Sequence, residues 1–426
     1  MLLVTILFLI FLSIGMPVAF AIGIAGLTFF LQHPELPFSM VVQLPLSQTQ
    51  NSPLLAVPLF IFAGNLMNSA GITERLIRLS TLLTGHIRGG LAQVSVVLST
   101  LMGGVSGSAT ADAAMESRLL GIGMVKKGYS KGYTASVIGF TSLITATIPP
   151  GVGIIIYGTT GDVSIGQLFM AGLVVGLIMM VMLMVTVAIT ARIHGYVPER
   201  PKRASFREIT TSLGETIWAL IFPILLLVGL RFGLFTPSEV GAFACVYGIL
   251  VGVFVYKELT WKKFLETLRI TVGDVGAVMF IIALSGLFRY GIPFEHVPQA
   301  LTSLITGIST NVYVVLLIII VFLVIAGMFI EGSVCILLFT PILLPMVTTL
   351  GVDPVHFGLI MCTTITMGLL TPPVGISMYA VCTILECPTS AYLREMAPFL
   401  ITVILELTLL VYLPDVVLFL PRLLVG

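Results

Sequence analysis

The stretch Ile148-Pro149-Pro150-Gly151-Val152-Gly153-Ile154, with Tyr157 after it, recurs later as Thr371-Pro372-Pro373-Val374-Gly375-Ile376, with Tyr379 after it. The first copy carries one inserted residue. Proline removes a helical hydrogen bond and clashes with the preceding turn, so each Pro-Pro predicts a broken helix that frees carbonyl oxygens. One such pair could simply kink a structural helix. Its repetition favours a functional role.

The composition requires a lipid environment. Of 426 residues, 58% are hydrophobic and only 9% are charged, too few charges to cover a water-soluble surface. Apolar runs long enough to cross a bilayer occur at 164 to 191, 214 to 230, 240 to 256, 270 to 288 and 396 to 413. The apolar N-terminus lacks signal-peptide features and is predicted to be a retained first helix. The five cysteines have no metal-type spacing and are predicted to be packing residues. The chain is therefore predicted to be an all-α polytopic membrane protein.

The basic residues predict the orientation. Nine of the twenty fall in two polar loops that are separated by two apolar spans, so both loops face one side: Arg192, Arg200, Lys202, Arg203 and Arg207, then Lys257, Lys262, Lys263 and Arg269. The positive-inside rule makes that side the cytoplasm. Two further segments return the cluster Lys126, Lys127 and Lys131 to the same side. No Lys or Arg lies between Arg289 and Arg394, so turns in that stretch should face outward.

Each half of the chain carries the same order of elements. About forty residues before each Pro-Pro an apolar run is broken by small or polar residues, at 103 to 108 in the first half and at 331 to 333 in the second. Basic flanks place both ends of the first hairpin at the cytoplasm, whereas the second hairpin has no cation and should open outward. Two inverted repeats, each with a re-entrant helical hairpin and a Pro-Pro-broken helix, are typical of secondary transporters with a site near the midplane.

This order predicts four regions. Residues 1–89 form N-terminal scaffold helices and an interfacial arm helix containing Glu74, Arg75 and Arg78. Residues 90–191 form the first transport repeat, 192–311 the central scaffold helices, and 312–426 the second, inverted repeat. The scaffold segments read as uninterrupted and apolar, suited to lipid and to a partner subunit.

The chain closely resembles, over essentially its whole length, the large membrane (M) subunit of tripartite ATP-independent periplasmic (TRAP) transporters. The motifs that carry the resemblance are 103 to 112, 127 to 129, 148 to 150, 164 to 169, 340 to 345, 353 to 358 and 368 to 375. The resemblance implies an elevator-type carrier driven by sodium in a bacterial inner membrane. It also implies two partners, a small four-helix membrane subunit (Q-type) and a periplasmic substrate-binding protein (P-type).

The resemblance also implies two sodium sites. The first would use the first tip and first break: Ser106, Ser108, Thr145, Pro149 and Pro150. The second would use the second tip and second break: Gly332, Ser333, Gly368, Thr371 and Pro372. Neither a transition metal nor an organic cofactor is expected.

Three residues are candidates for contact with the substrate: Glu331, Ser106 and Arg118. An acid inside a membrane is a functional candidate by default, so Glu331 could bind substrate, hold a cation, titrate, or only cap the next helix. Arg118 could meet a carboxylate or extend its charge to the cytoplasmic interface. Asp112, in the first turn after the first tip, is interpreted as structural.

An enzyme is not expected because Gly-x-Ser-x-Gly, His-Glu-x-x-His and Walker patterns are absent. A channel built on the same repeats and a binding-protein-independent sodium/carboxylate symporter are the alternatives. The substrate is expected to be a small organic acid. Sialic acid or a related sugar acid is favoured over a C4-dicarboxylate, because residues 113 to 130 look more like those of sugar-acid members.

Overall fold

The computed structural model describes residues 1–50, 52–231 and 234–425, and no β-strand occurs among them. The N-terminal region contains α1 (Leu2–Ser13), α2 (Val18–Gln32), α3 (Met40–Thr49), α4 (Ala56–Ser69) and α5 (Ile72–Thr84), with a 3-10 turn at Ser52–Leu55. The next region contains α6 (Gly90–Gly103), α7 (Ala109–Glu116), a π-helical turn at Ser117–Gly121, α8 (Ile122–Lys126), α9 (Lys131–Thr147), α10 (Val152–Thr160) and α11 (Ile165–Ile193).

The central region contains α12 (Phe206–Arg231), α13 (Pro237–Leu250), a π-helical turn at Val251–Val255, α14 (Trp261–Phe294) and α15 (Val297–Ile308). The last region contains α16 (Val312–Phe329), α17 (Gly332–Thr349), α18 (Pro354–Gly368), α19 (Ile376–Ile384), α20 (Thr389–Glu395), α21 (Ala397–Tyr412), α22 (Pro414–Val417) and α23 (Phe419–Val425).

Within the described ranges, six helices are long and apolar enough to cross a membrane, or up to nine spans if each bent pair counts as one. The pair α9 and α10 bends by 43° at the first Pro-Pro. Val181, Val185 and Ile189 on α11 are each 54% exposed, and their spacing of four residues puts them on one helical face, as expected of a lipid-facing surface. The prediction of an all-α polytopic membrane protein is confirmed.

One group of helices is built around α14, which packs against α2, α3 and α4, while α13 packs along α4. Glycine permits the close approach of α2 to α14. A Cβ atom on Gly26 would lie 2.6 Å from the Cβ of Leu287. Small residues at such contacts let helix backbones approach, which is how packing energy is gained inside a bilayer. These helices come from the two regions that the sequence predicts as scaffold, residues 1–89 and 192–311.

A second group joins the predicted repeats to each other. Helix α9 packs against α6, α7 and α11, and α16 packs against α18. The halves also interlock, because α7 contacts α19 and α10 contacts α17. The hydroxyls of Thr110 and Ser377 lie 2.7 Å apart at the first of these contacts. Hairpin elements of each half therefore pack on the broken helix of the other half.

Ion pairs join the three basic segments at one end of the molecule. Lys127 pairs with Glu199. The arm helix α5 pairs with Glu258 of the third segment through Arg75, at 2.8 Å. Its Arg78 pairs at 3.0 Å with Glu215 in α12, the helix that follows the second segment. This arrangement agrees with the prediction, made from the number of apolar spans between them, that the three segments lie on one side of the membrane.

Candidate functional site

A cavity of about 540 Å³ lies between the two helix groups. Its lining includes residues 106–108 of the first predicted tip, the start of α7 at 109–111, the second predicted tip at 331–333, and Val152 and Gly153 at the first break. The opposite wall comes from α4 and α14. Two segments far apart in sequence, singled out for their small and polar residues, therefore face one space.

The first tip rests directly on the first break. Gly107 has φ +65°, and a Cβ atom there would lie 2.1 Å from the Pro150 carbonyl oxygen, so only glycine fits. The Val152 N–H donates to the Gly107 carbonyl at 3.2 Å. Ser106 and Ser108 are half-buried and line the cavity. The structure thus brings together the tip and break assigned to the first sodium site.

Thr145 is fully buried, and its hydroxyl is engaged by a carboxylate. Its Oγ1 lies 2.6 Å from Asp112 Oδ2 and 2.8 Å from the Ser99 carbonyl oxygen. Asp112 does lie in the first turn of α7, as the structural interpretation expected. Its side chain is nevertheless buried against α9, and its Oδ1 has no hydrogen-bond partner.

Sequence analysis missed a second buried acid beside this contact. Glu116 accepts hydrogen bonds from Ser95 Oγ at 2.5 Å and from Ser99 Oγ at 2.7 Å. It follows Asp112 by four residues, which places both acids on one face of α7. The spacing of the two acids was the signal available in the sequence.

The second tip is capped by its own acid. Glu331 accepts from the N–H groups of Ser333 at 2.9 Å and Val334 at 3.3 Å, so the capping role considered for it is present. Glu331 also lines the cavity, as do Gly332 and Ser333. A Cβ atom on Gly332 would lie 3.5 Å from Leu369, at the start of the second break.

The second break packs against the first limb of its own hairpin. The Gly375 N–H donates to the Met328 carbonyl at 2.9 Å. A Cβ atom on Gly368 would lie 2.8 Å from the Gly327 Cα. The Thr371 hydroxyl donates to the Met367 carbonyl at 2.8 Å, which leaves its lone pairs able to accept a cation.

Not every candidate lines the cavity. Arg118 is exposed on the π-helical turn after α7 and is not part of the lining. The remaining candidate ligands lie behind the cavity wall, at the breaks or beside α7: Thr145, Pro149, Pro150, Gly368, Thr371 and Pro372.

The scaffold wall holds residues that sequence analysis overlooked. Asn65, Asn68 and Asp274 line the cavity, and Asn65 Nδ2 donates to Asp274 Oδ2 at 3.1 Å. The description of the scaffold segments as uninterrupted and apolar is wrong at Asp274, since it lies inside the apolar run 270 to 288. An acid inside such a run was the available signal.

The tip also touches the scaffold closely. A Cβ atom on Gly64 of α4 would lie 2.9 Å from the Val105 carbonyl oxygen. Any larger residue there would push α4 away from the first tip. Glycine at this position therefore sets how closely the two helix groups approach beside the cavity.

Comparison with protein families gives one match over most of the chain. The family described as "Tripartite ATP-independent periplasmic transporter, DctM component" matches residues 5–416.

Two curated relatives span nearly the whole chain. A Vibrio cholerae protein named "Sialic acid TRAP transporter large permease protein SiaM" is 36% identical, over 97% of this chain and 96% of its own length. A Pseudomonas aeruginosa protein named "C4-dicarboxylate TRAP transporter large permease protein DctM" is 34% identical over 94% of each chain.

A longer relative and a solved structure extend the comparison. An Oleidesulfovibrio alaskensis protein named "Isethionate TRAP transporter permease protein DctMQ" is 31% identical over 97% of this chain and 65% of its own length. The Alcanivorax borkumensis YdaH transporter superposes with a TM-score of 0.62 at 13% identity, covering 87% of each chain. The likeness to the YdaH transporter concerns the fold alone.

Proposed function

This chain belongs to the tripartite ATP-independent periplasmic transporter family as its DctM component, and we propose that it performs sodium-coupled uptake of an organic acid. The chain is a multi-pass protein of the bacterial inner membrane. The names of its relatives mention sialic acid, C4-dicarboxylates and isethionate, all organic acids. These names support a carrier of organic acids over an enzyme.

The observation that carries the proposal is the convergence of both tips on one cavity beside the broken helices. Broken helices expose carbonyl oxygens that cannot be left facing lipid. At the first tip, Gly107 packs on the Pro150 carbonyl oxygen, and its neighbours Ser106 and Ser108 line the cavity. The two hydroxyls and the carbonyl oxygens of the break would supply an all-oxygen site. Such oxygen donors suit a small hard cation. Sodium bound there would add positive charge next to an anionic substrate.

Two partners complete the proposed system. A periplasmic binding protein would deliver the acid, in keeping with the family's description. A small membrane subunit would pack against the scaffold, and the longer relative named DctMQ supports that association. The proposed transport step is an elevator movement of the two hairpins with their broken helices past the scaffold.

We favour a sugar acid such as sialic acid over a C4-dicarboxylate. The sialic acid relative is 36% identical to this chain. The cavity of about 540 Å³ lies within the range that suits ligands much larger than a four-carbon diacid.

The test is uptake into proteoliposomes that hold this chain with its small subunit, with purified binding protein and a panel of organic acids outside. Uptake should require an inward sodium gradient and should disappear when choline replaces sodium. Accumulation without any sodium dependence would overturn the coupling proposal.

The same assay separates the alternatives. Undiminished uptake without the binding protein would favour a binding-protein-independent symporter. A carrier accelerates tracer influx when unlabelled substrate is loaded inside, whereas a channel does not. The absence of counterflow would therefore overturn the carrier assignment.

A further inference from the structure

The scaffold wall of the cavity presents hydrogen-bond acceptors. Asn65 Nδ2 donates at 3.1 Å both to Asp274 Oδ2 and to Thr271 Oγ1. The nitrogen must face Asp274 because a carboxylate can only accept. Its two N–H groups are then in use, so the carbonyl oxygen is the group that the Asn65 side chain has left for a ligand of the cavity that it lines. The exposed Asp274 carboxylate adds a second acceptor beside it.

Asp274 lies deep within α14, 13 residues after Trp261 and 20 residues before Phe294. At the helical rise this is roughly 20 Å and 30 Å from the two ends. An acid at such a depth is costly unless it serves a cavity or a partner. Asp274 is itself exposed and lines the cavity. Its carboxylate is therefore accessible to a ligand there.

The charges of the cavity are one-sided. Among the described lining residues, Asp274 and Glu331 are acidic and none is Lys, Arg or His. A substrate carboxylate therefore finds no basic side chain there. On the other side of the cavity lie the first residues of α7 and α10, where the positive ends of the two helix dipoles favour an anion.

We propose that Asp274, positioned by Asn65, forms a scaffold-side subsite that accepts hydrogen bonds from the hydroxyl groups of a polyhydroxylated monocarboxylic acid. This inference rests on the proposed function. In this pose the carboxylate of the substrate lies at the hairpin side of the cavity. Its hydroxyl groups lie against Asn65 and Asp274 of the scaffold wall. A second carboxylate, as in a C4-dicarboxylate, would meet the Asp274 charge and be repelled, so the residue selects by exclusion as well as by contact.

The subsite also belongs to the part of the molecule proposed to stay still. A substrate held between Asp274 and the tips loses the scaffold contact when the hairpins move away. Asp274 should therefore affect substrate selection and leave the affinity for sodium unchanged. This separates it from the candidate sodium ligands at the tips and breaks.

The experiment measures thermal unfolding of the full chain in lipid nanodiscs, with N-acetylneuraminate, gluconate or succinate, in sodium or choline chloride. Each shift in Tm is taken from the same variant's ligand-free value, so a change in basal stability does not enter. A ligand that binds the folded state stabilises it more, and raises Tm further, the higher its concentration is relative to its Kd. In sodium, both sugar acids should raise the Tm of the unmodified chain at lower concentrations than succinate.

Asp274→Asn should raise by about tenfold the concentration of N-acetylneuraminate that produces a given shift in Tm, the effect of losing one hydrogen bond to a charged acceptor. It should lower that of succinate. Asp274→Glu keeps the charge and should preserve the order of the three acids. Glu266→Gln removes a carboxylate from the same helix outside the cavity and should change neither concentration. The sodium concentration that stabilises the ligand-free chain should be the same in all variants.

Two results would overturn the inference: succinate stabilising the unmodified chain as well as the sugar acids do, or Asp274→Asn leaving both concentrations unchanged. With a sodium-dependent succinate shift, the proposed function survives and only the subsite fails. If no acid shifts Tm in sodium, both fail.

Discussion

The Thr145 hydroxyl lies 2.6 Å from Asp112 Oδ2, inside the first repeat and out of reach of water. This contact ties the helix that precedes the first break to the helix that follows the first tip. A residue proposed as a sodium ligand is thus held in place by an acid.

Replacing Thr145 by valine keeps the shape of the side chain but leaves Asp112 without its donor. The free energy of unfolding should fall by about 1 to 3 kcal/mol, the cost of a buried acceptor left unpaired. Chemical denaturation in detergent would measure it. Thr134→Val on the same helix is the matched control. Its buried hydroxyl has no partner, so its loss should be neutral or stabilising. Equal losses in both variants would contradict the role of the Asp112 contact.

Ser106→Ala and Thr371→Ala test the two sodium sites. Each should shift the sodium activation curve of uptake by roughly tenfold to a hundredfold, because a neutral oxygen ligand is worth about 1 to 3 kcal/mol. Thr408→Ala is a suitable control, since that hydroxyl is exposed and bonds only within its own helix. If neither curve moves, the two residues are not sodium ligands.

The orientation is tested by cysteines at Ser205 and Thr260, which lie in the two basic loops. Both should resist an impermeant thiol reagent in intact cells, because positive loops stay in the cytoplasm. A cysteine at Thr310, exposed just before α16, should react. Labelling of Ser205 and Thr260 from outside would reverse the topology.

The elevator proposal takes residues 90–190 and 312–412 as the moving unit and the N-terminal helices with 214–288 as the scaffold. A Cβ on Gly166 in α11 would lie 3.8 Å from the Leu230 Cβ in α12, the spacing of a disulfide. A Gly166→Cys/Leu230→Cys disulfide would join the moving unit to the scaffold. It should therefore arrest uptake until it is reduced, while sodium binding persists.

The matched pair is Gly248→Cys/Leu66→Cys, at 3.4 Å within the scaffold. That disulfide should leave uptake intact. Full transport with the Gly166–Leu230 disulfide closed would exclude the elevator and support local gating.

The sequence was sufficient to predict an all-α membrane protein with broken helices, because hydropathy and Pro-Pro pairs act on the local backbone. An apolar run of this length satisfies its own backbone in lipid by forming a helix, since no water is there to do so. A Pro-Pro pair removes two neighbouring helical hydrogen bonds, whereas single prolines such as Pro223 and Pro341 remain inside their helices. The breaks at Pro149 and Pro372 were therefore predicted in place, as were the polar tips at 103 to 108 and 331 to 333. The basic loops likewise predicted which segments gather at one end.

Contacts between distant helices could be decided only by the tertiary structure. The pairing of Thr145 with Asp112, and the burial of Glu116 between two serines of α6, depend on how helices pack, which local spacing does not encode. The same holds for Asn65 and Asp274, 209 residues apart and joined by one hydrogen bond. Sequence by itself determined the membrane class, the breaks and the tips, because each follows from the chemistry of a few neighbouring residues. The cavity and its acidic scaffold wall arose only when α4 and α14 packed opposite the two tips.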